Sequence, residues 1–163
     1  MILIALGANL PSPAGEPAAT LHAALAALER RGADVLTVSK FYATPAWPDP
    51  NDPPYVNAVA HIETALPPRE LLALLHDIEI AFGRRRSERN APRTLDLDLL
   101  DYDGRVELGP PELPHPRMTQ RGFVLIPLAD VAPGWRHPIT GISLQSLIAD
   151  LSQEQRRVRA LDR

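Results

Sequence analysis

The chain has no cysteine among its 163 residues, which excludes disulfides, a thiolate nucleophile and cysteine-ligated zinc. Any metal must therefore sit on oxygen or imidazole. No apolar run approaches the roughly 20 residues that cross a bilayer, so no membrane contact is expected. Residues 1–7 lack a basic flank and read as a first strand rather than a secretion signal, which makes a cytoplasmic location the expectation. Positive charge is not in excess either. The net charge of −3 argues against a protein that wraps nucleic acid, since that work needs a broad basic surface. Neither GxxxxGKS/T nor GxGxxG occurs, so a phosphate ligand would be held by side chains rather than by a glycine-rich cradle.

Proline, by contrast, is plentiful. The 18 prolines are about twice the usual share, and they cluster at 45–54 and 110–116, where they stiffen loops and limit the entropy lost on folding. A composition of 45% hydrophobic and 23% charged residues is that of a globular chain. The length suits one domain, 1–163, with a continuous core. A monomer is expected.

Periodicity supplies the elements. After the opening strand, Leu21, Ala24, Leu25 and Leu28 fall at i, i+3, i+4 and i+7, predicting a helix over 17–31 that stops at Gly32. Residues 35–42 read as a second strand and 55–64 as a third, with Val56, Ala58, Ala60 and Ile62 alternating against Tyr55, Asn57, Val59 and His61. A second helix opens at Pro67-Pro68 and buries Leu71, Leu75, Ile78 and Phe82, while His76 and Glu79 share a neighbouring face. The stretch RTLDLDLL, 93–100, reads as a fourth strand, with Asp103-Gly104 as a hairpin turn after it. The order β-α-β-β-α-β predicts an α+β, ferredoxin-like sandwich, in which two helices cover one face of a four-stranded, mainly antiparallel sheet.

The fourth strand carries an anomaly. Side chains alternate along a strand, so Asp96 and Asp98 point the same way, about 6.6 Å apart along the backbone. At an effective dielectric near 20, two such charges repel by roughly 2.5 kcal/mol, a penalty that a cation between them would remove. Magnesium suits carboxylate oxygens and keeps waters and substrate phosphates in its other positions. An isolated D-x-D also fits an ordinary strand with one solvated face. Upstream lie Arg84, Arg85, Arg86, Arg89 and Arg93, five guanidinium groups in ten residues. Alone they fit a solvated loop after a helix end; beside a magnesium-holding pair they fit a clamp for a polyphosphate. Metal and arginines together point to nucleoside triphosphate chemistry.

A second constellation is Pro114-His115-Pro116-Arg117-Met118-Thr119-Gln120-Arg121-Gly122-Phe123. Flanking prolines hold His115 in an extended loop, and Arg117 and Arg121 are one turn apart on a predicted short helix. Read alone, the segment also fits a rigid surface connector. Tyr55 and Asn57 share a strand face and pair a flat ring with an amide, which suits a planar heterocycle as well as a tyrosine and a hydrogen-bonded asparagine in a core.

Together these stretches resemble the 6-hydroxymethyl-7,8-dihydropterin pyrophosphokinase family of folate biosynthesis. The likeness runs through Leu6-Gly7-Ala8-Asn9, Thr44-Pro45, Tyr55-Val56-Asn57-Ala58, Ile78-Glu79, Pro92-Arg93-Thr94-Leu95-Asp96-Leu97-Asp98, His115-Pro116-Arg117-Met118, Arg121 and Phe123-Val124-Leu125-Ile126-Pro127-Leu128. It implies transfer of pyrophosphate from ATP to the pterin hydroxymethyl group, with release of AMP. Asp96 and Asp98 would bind two magnesium ions. His76, Arg84, Arg86, Arg89, Arg93, His115 and Arg121 would contact the nucleotide, with Arg84 and Arg93 meeting charge on the bridging oxygen. Tyr55 and Phe123 would enclose the pterin, and Asn57 with the segment Thr44, Pro45, Ala46 and Trp47 would meet its polar edge. The chain departs from the family in Asn90-Ala91, where Trp-Gly is common, in Pro48, often glycine, and in His76, glutamine in some relatives. A ferredoxin-like nucleic-acid-binding module and a magnesium-dependent phosphohydrolase are the competing readings. The acidic balance and the absence of an aromatic RNP-type motif weigh against the first.

Overall fold

The computed structural model describes residues 1–46, 49–83 and 94–161. Its elements are β1 (Ile2–Ala8), α1 (Pro17–Arg30), β2 (Asp34–Val38), β3 (Tyr42–Thr44), β4 (Tyr55–Glu63), α2 (Pro68–Ala81), β5 (Asp96–Tyr102), β6 (Glu107–Leu108), β7 (Glu112–Leu113), α3 (Gly122–Val131), α4 (Leu144–Ala149) and β8 (Arg159–Ala160). The main sheet runs β5-β1-β4-β3-β8, with β2 also pairing β4. Every pairing in it is antiparallel. This is the expected α+β, ferredoxin-like arrangement.

The two expected helices form where the apolar spacing places them. In α1, Leu21, Ala24 and Leu28 are fully buried and Leu25 packs against the same core. In α2, Leu71, Leu75 and Ile78 are buried, with Phe82 packed beside them. Proline occupies the first turn of both helices, where its missing N–H has no helical partner to lose. Both cover the sheet face formed by Ile2, Ile4, Leu6, Ala58, Ala60, Ile62, Leu97 and Leu99. Strand β1, between β5 and β4, is buried along its whole length.

The second strand departs from expectation. Residues 35–42 form two strands, β2 and β3, separated by Ser39-Lys40-Phe41, and both pair with β4. Ser39 carries the ladder across the break: its N–H donates to the Val59 carbonyl at 2.9 Å and its Oγ accepts the Val59 N–H at 2.9 Å. The sheet is thus larger than four strands. The predicted turn forms, with Asp103 and Gly104 at φ 55° and 72° and the Arg105 N–H donating to the Tyr102 carbonyl at 3.0 Å. The chain that returns from it pairs β6 with β7 instead of completing a hairpin with β5.

Helices also cover the second face, contrary to the one-sided arrangement expected. Leu3, Ala5, Val59 and Leu100 pack there against Val124, Leu125 and Leu128 of α3 and Leu144 and Leu147 of α4. The apolar residues of α3 surround its axis and Pro127 interrupts them, so no one-sided stripe identifies it as a helix. Apolar packing on this face reaches Ala5 and Val59. One step further along the same face lie Gly7, Asn57 and Asp96.

Candidate active site

The strand register assembles the floor of the site. Gly7 of β1 is flanked by Asn57 of β4 and Asp96 of β5, and Ala5 by Val59 and Asp98. Leu97 and Leu99 point into the α1/α2 core, so alternation turns Asp96 and Asp98 together toward the other face, where both are half-buried. β5 is the outer strand of the sheet. The Leu97 N–H, between the two acids, donates to Glu79 Oε2 at 2.8 Å. Glu79 is 1% exposed; its carboxylate thereby secures the edge of the strand, a role that the i, i+3 pairing with His76 on the helix does not disclose.

His115 and Arg121 form one wall. The His115 N–H donates to the Leu100 carbonyl at 2.9 Å, fixing the proline-flanked loop against β5. Its Nδ1 accepts the Arg117 N–H at 3.1 Å, which places the proton of the neutral ring on Nε2. Burial, followed by the positive charge of Arg121, lowers its pKa to about 4, with Asp96 opposing and Arg117 adding to the shift. The predicted short helix is a 3₁₀ turn, Met118–Gln120, with Arg117 and Arg121 at its ends. Arg121 Nη1 lies 3.7 Å from Asp98 Oδ2, and its guanidinium sits 5.5 Å from the Phe123 ring centroid. A folded-state pKa below the ordinary 6.5 contributes stability that is present above pH 6.5 and lost as pH falls toward 4. Denaturant unfolding between those values should therefore lose stability more steeply in the wild type than in His115→Asn; equal slopes would contradict the half-buried neutral imidazole.

The opposite wall is amide and aromatic. Asn57, 5% exposed, donates from Nδ2 to Thr44 Oγ1 at 2.9 Å. Its Oδ1 lies across β1, because a Cβ on Gly7 would stand only 2.8 Å from it. Tyr55 pairs with Thr44 and shares the Asn57 face; Ala46 is buried and Pro45 exposed. Phe123 opens α3 and packs partly against the second core. Asn9 Nδ2 donates to the Pro53 carbonyl at 3.2 Å, tying the proline-rich loop to the end of β1. Asp130 of α3 accepts from the Tyr42 hydroxyl at 2.6 Å and the Lys40 N–H at 3.1 Å, which fixes the Phe123 helix to β3. Burial, then that hydrogen bond, raises the Tyr42 pKa to about 12.

The structure thus brings together Asp96, Asp98, His115, Arg121, Phe123, Asn57, Tyr55 and Thr44. His76 is half-buried on α2, one turn before Glu79 and on the other layer of the fold. Trp47 and Arg84, Arg86, Arg89 and Arg93 lie outside the described residues, as do Pro48 and Asn90-Ala91. Sequence reasoning missed the Thr44 hydroxyl, the role of Gly7 and the Tyr42–Asp130 tie. Leu6-Gly7-Ala8-Asn9 was a signal for Gly7; the other contacts join positions far apart in the chain and leave no local mark.

The donor set fits magnesium. Two carboxylates share a face, and among the described residues no group of three or more His, Cys, Asp or Glu could enclose an ion. Such a pair suits a hard cation that takes one or two carboxylates and completes its shell with water and phosphate oxygens, rather than an all-protein cage. The guanidinium beside Asp98 shows that this face attracts a cation.

A sequence profile of the family described as 7,8-dihydro-6-hydroxymethylpterin-pyrophosphokinase (HPPK) matches residues 3–133. The chain is 40% identical over 148 residues to 2-amino-4-hydroxy-6-hydroxymethyldihydropteridine pyrophosphokinase of Synechocystis sp., covering 90% of this chain and 73% of that one. It is 41% identical over 150 residues to the enzyme of the same name from Pseudomonas aeruginosa, covering 91% and 90%. It superposes on Plasmodium falciparum HPPK-DHPS A437G/K540E, solved with pterin and p-hydroxybenzoate, with a TM-score of 0.73 at 12% identity over 98% of this chain. Wild-type HPPK-DHPS gives 0.70 at 15% over 91%. At such identities the likeness is one of fold, and the chain spans 46% and 40% of the length of those two solved chains.

Proposed function

Because this chain belongs to the 7,8-dihydro-6-hydroxymethylpterin-pyrophosphokinase family, we propose that the face bearing Asp96, Asp98 and Asn57 is where it performs the family's reaction. That reaction is the ATP-dependent transfer of pyrophosphate to the hydroxymethyl group of 6-hydroxymethyl-7,8-dihydropterin in folate biosynthesis, with release of AMP. The observation that carries the assignment is the register: both carboxylates share one face with an anchored amide, and Asp96 lies directly across Gly7 from it.

The pterin hydroxyl oxygen attacks the β-phosphorus, the bond from that phosphorus to the oxygen bridging the α-phosphorus breaks, AMP leaves with that oxygen, and the hydroxyl proton passes to solvent. Asp96 and Asp98 would hold magnesium, two ions being the expectation. Bound there, magnesium would lower the pKa of the attacking hydroxyl and offset charge on the phosphates. Arg121 reaches the same space from the start of α3, and His115 offers a neutral Nε2–H donor to a phosphate oxygen. The Asn57 amide, held by Thr44, meets the polar edge of the pterin with Pro45 and Ala46 beside it, and Tyr55 and Phe123 cover its faces; the family resemblance adds Trp47 to that edge. Arg84 and Arg93 stabilise charge on the bridging oxygen, Arg86 and Arg89 bind the triphosphate, and His76 meets the nucleotide. These last roles rest on the family resemblance. We further assign the chain as a single-domain, cytoplasmic monomer that acts on small molecules without nucleic acid or membrane.

Incubation with ATP, magnesium and the hydroxymethyl pterin tests the proposal. Pterin-dependent release of AMP is expected; pterin-independent nucleotide cleavage would favour a hydrolase, and no cleavage a binding module. Gly7→Ala should displace Asn57 and raise the pterin KM by about tenfold, the cost of an unmade buried hydrogen bond. The ATP KM should change less than about twofold, since no nucleotide contact is disturbed. Equal losses for both substrates would remove Asn57 from the pterin slot.

A further inference from the structure

We infer that residues 152–161 form a strap that positions the pterin slot, with Gln155 as its working contact. Residues 3–133 are those matched to the family, and the strap lies beyond them. It touches both the helix that carries Phe123 and the strand that carries Thr44. At one end, Gln155 lies flush against Gly122, the residue between Arg121 and Phe123. The Gly122 N–H donates to Gln155 Oε1 at 3.0 Å, and a Cβ on Gly122 would run into the Gln155 carbonyl oxygen. The first N–H groups of a helix have no intrahelical acceptor, and Arg121, the residue preceding α3, provides no side-chain cap. An amide 33 residues along the chain caps the helix instead. At the other end, Ala160 and Arg159 pair with Tyr42 and Ala43, and the Leu161 N–H donates to the Phe41 carbonyl at 2.8 Å. That strand carries Thr44, the anchor of Asn57.

The strap is internally fixed. The Gln155 N–H donates to Ser152 Oγ at 3.2 Å, the Arg156 N–H to the Ser152 carbonyl at 3.2 Å, and Arg156 Nε to the Leu151 carbonyl at 3.1 Å. The strap thus joins the first turn of the helix, where Phe123 stands, to the strand that presents Thr44, and holds the end of α3 remote from the Tyr42–Asp130 tie. Arg121 has a second hold, its contact with Asp98. Phe123 depends more on the strap, so its loss should weaken the pterin more than the nucleotide.

The strap rests on the assignment of Asn57 and Phe123 to the pterin, and its test separates the two. Pterin affinity is measured by calorimetry on the full chain with magnesium and a nonhydrolysable ATP analogue, and analogue affinity is measured alone. Gln155→Ala should weaken pterin binding about fivefold, the loss of one half-buried hydrogen bond, and leave analogue affinity within about twofold of wild type. Gln155→Glu keeps an acceptor at a helix N-terminus and should restore pterin binding. Gln155→Asn keeps the amide but shortens its reach and should behave like alanine, which provides a second variant should alanine fail to fold. Wild-type pterin affinity in both the alanine and asparagine variants, or equal weakening of both ligands, would overturn the strap. A wild-type chain that binds the analogue but no pterin would overturn the slot, and the strap with it.

Discussion

Asp98→Ala should lower turnover by about a thousandfold or more, since the variant loses half of the carboxylate pair that holds the metal and the charge it stabilises. Its fold should survive. The substitution removes a partly exposed ion pair, Arg121 with Asp98 at 3.7 Å, and such pairs are worth about 0–1 kcal/mol. Removing one of two like charges on the same face of β5 relieves a repulsion of roughly 2.5 kcal/mol in metal-free buffer. Thermal unfolding without magnesium should therefore show a midpoint no lower than that of the wild type. With magnesium and an ATP analogue the wild type should gain stability through binding to its native state, and the variant should gain far less. Near-normal turnover, or a midpoint that collapses without metal, would show that Asp98 serves the fold rather than the reaction.

Arg121→Ala should reduce kcat/KM by about a hundredfold to a thousandfold, the usual loss when a preorganised charge donor facing the reacting group is removed. The residue joins two functions, because its guanidinium stands beside Asp98 and 5.5 Å from the Phe123 ring. Arg121→Lys keeps the charge but loses the planar fork and its stacking on the ring. Lysine should therefore recover no more than about a tenth of wild-type kcat/KM. Steady-state kinetics with each substrate varied in turn measure both variants. A lysine variant at wild-type rate would reduce Arg121 to a point charge.

The sequence disclosed whatever repeats at short range. Leu21, Ala24 and Leu28, and Leu71, Leu75 and Ile78, mark buried helix stripes because side chains three and four apart share a helix face. Asp96 and Asp98 are legible for the same reason, since residues two apart share a strand face. The break at Ser39 was not legible, because its hydroxyl takes the place of a backbone group opposite Val59, and a serine within a strand-like run does not signal that substitution. Helix α3 carries apolar residues on all sides, so the layer that closes the second face had no amphipathic period to reveal it. The Asn57–Thr44, Gly7–Asn57 and Gly122–Gln155 contacts link positions 13, 50 and 33 residues apart, and only the assembled sheet and helices bring them together. For Arg84, Arg86, Arg89 and Arg93 the reading remains one of motif and spacing.

A crystal structure of the chain with magnesium and a nonhydrolysable ATP analogue measures the central claim most directly. The expected result is at least one ion about 2.0–2.1 Å from oxygens of both Asp96 and Asp98, with phosphate oxygens completing its shell and His115 Nε2 and Arg121 directed at the phosphates. Nucleotide bound elsewhere, or an ion that ignores the two carboxylates, would contradict it.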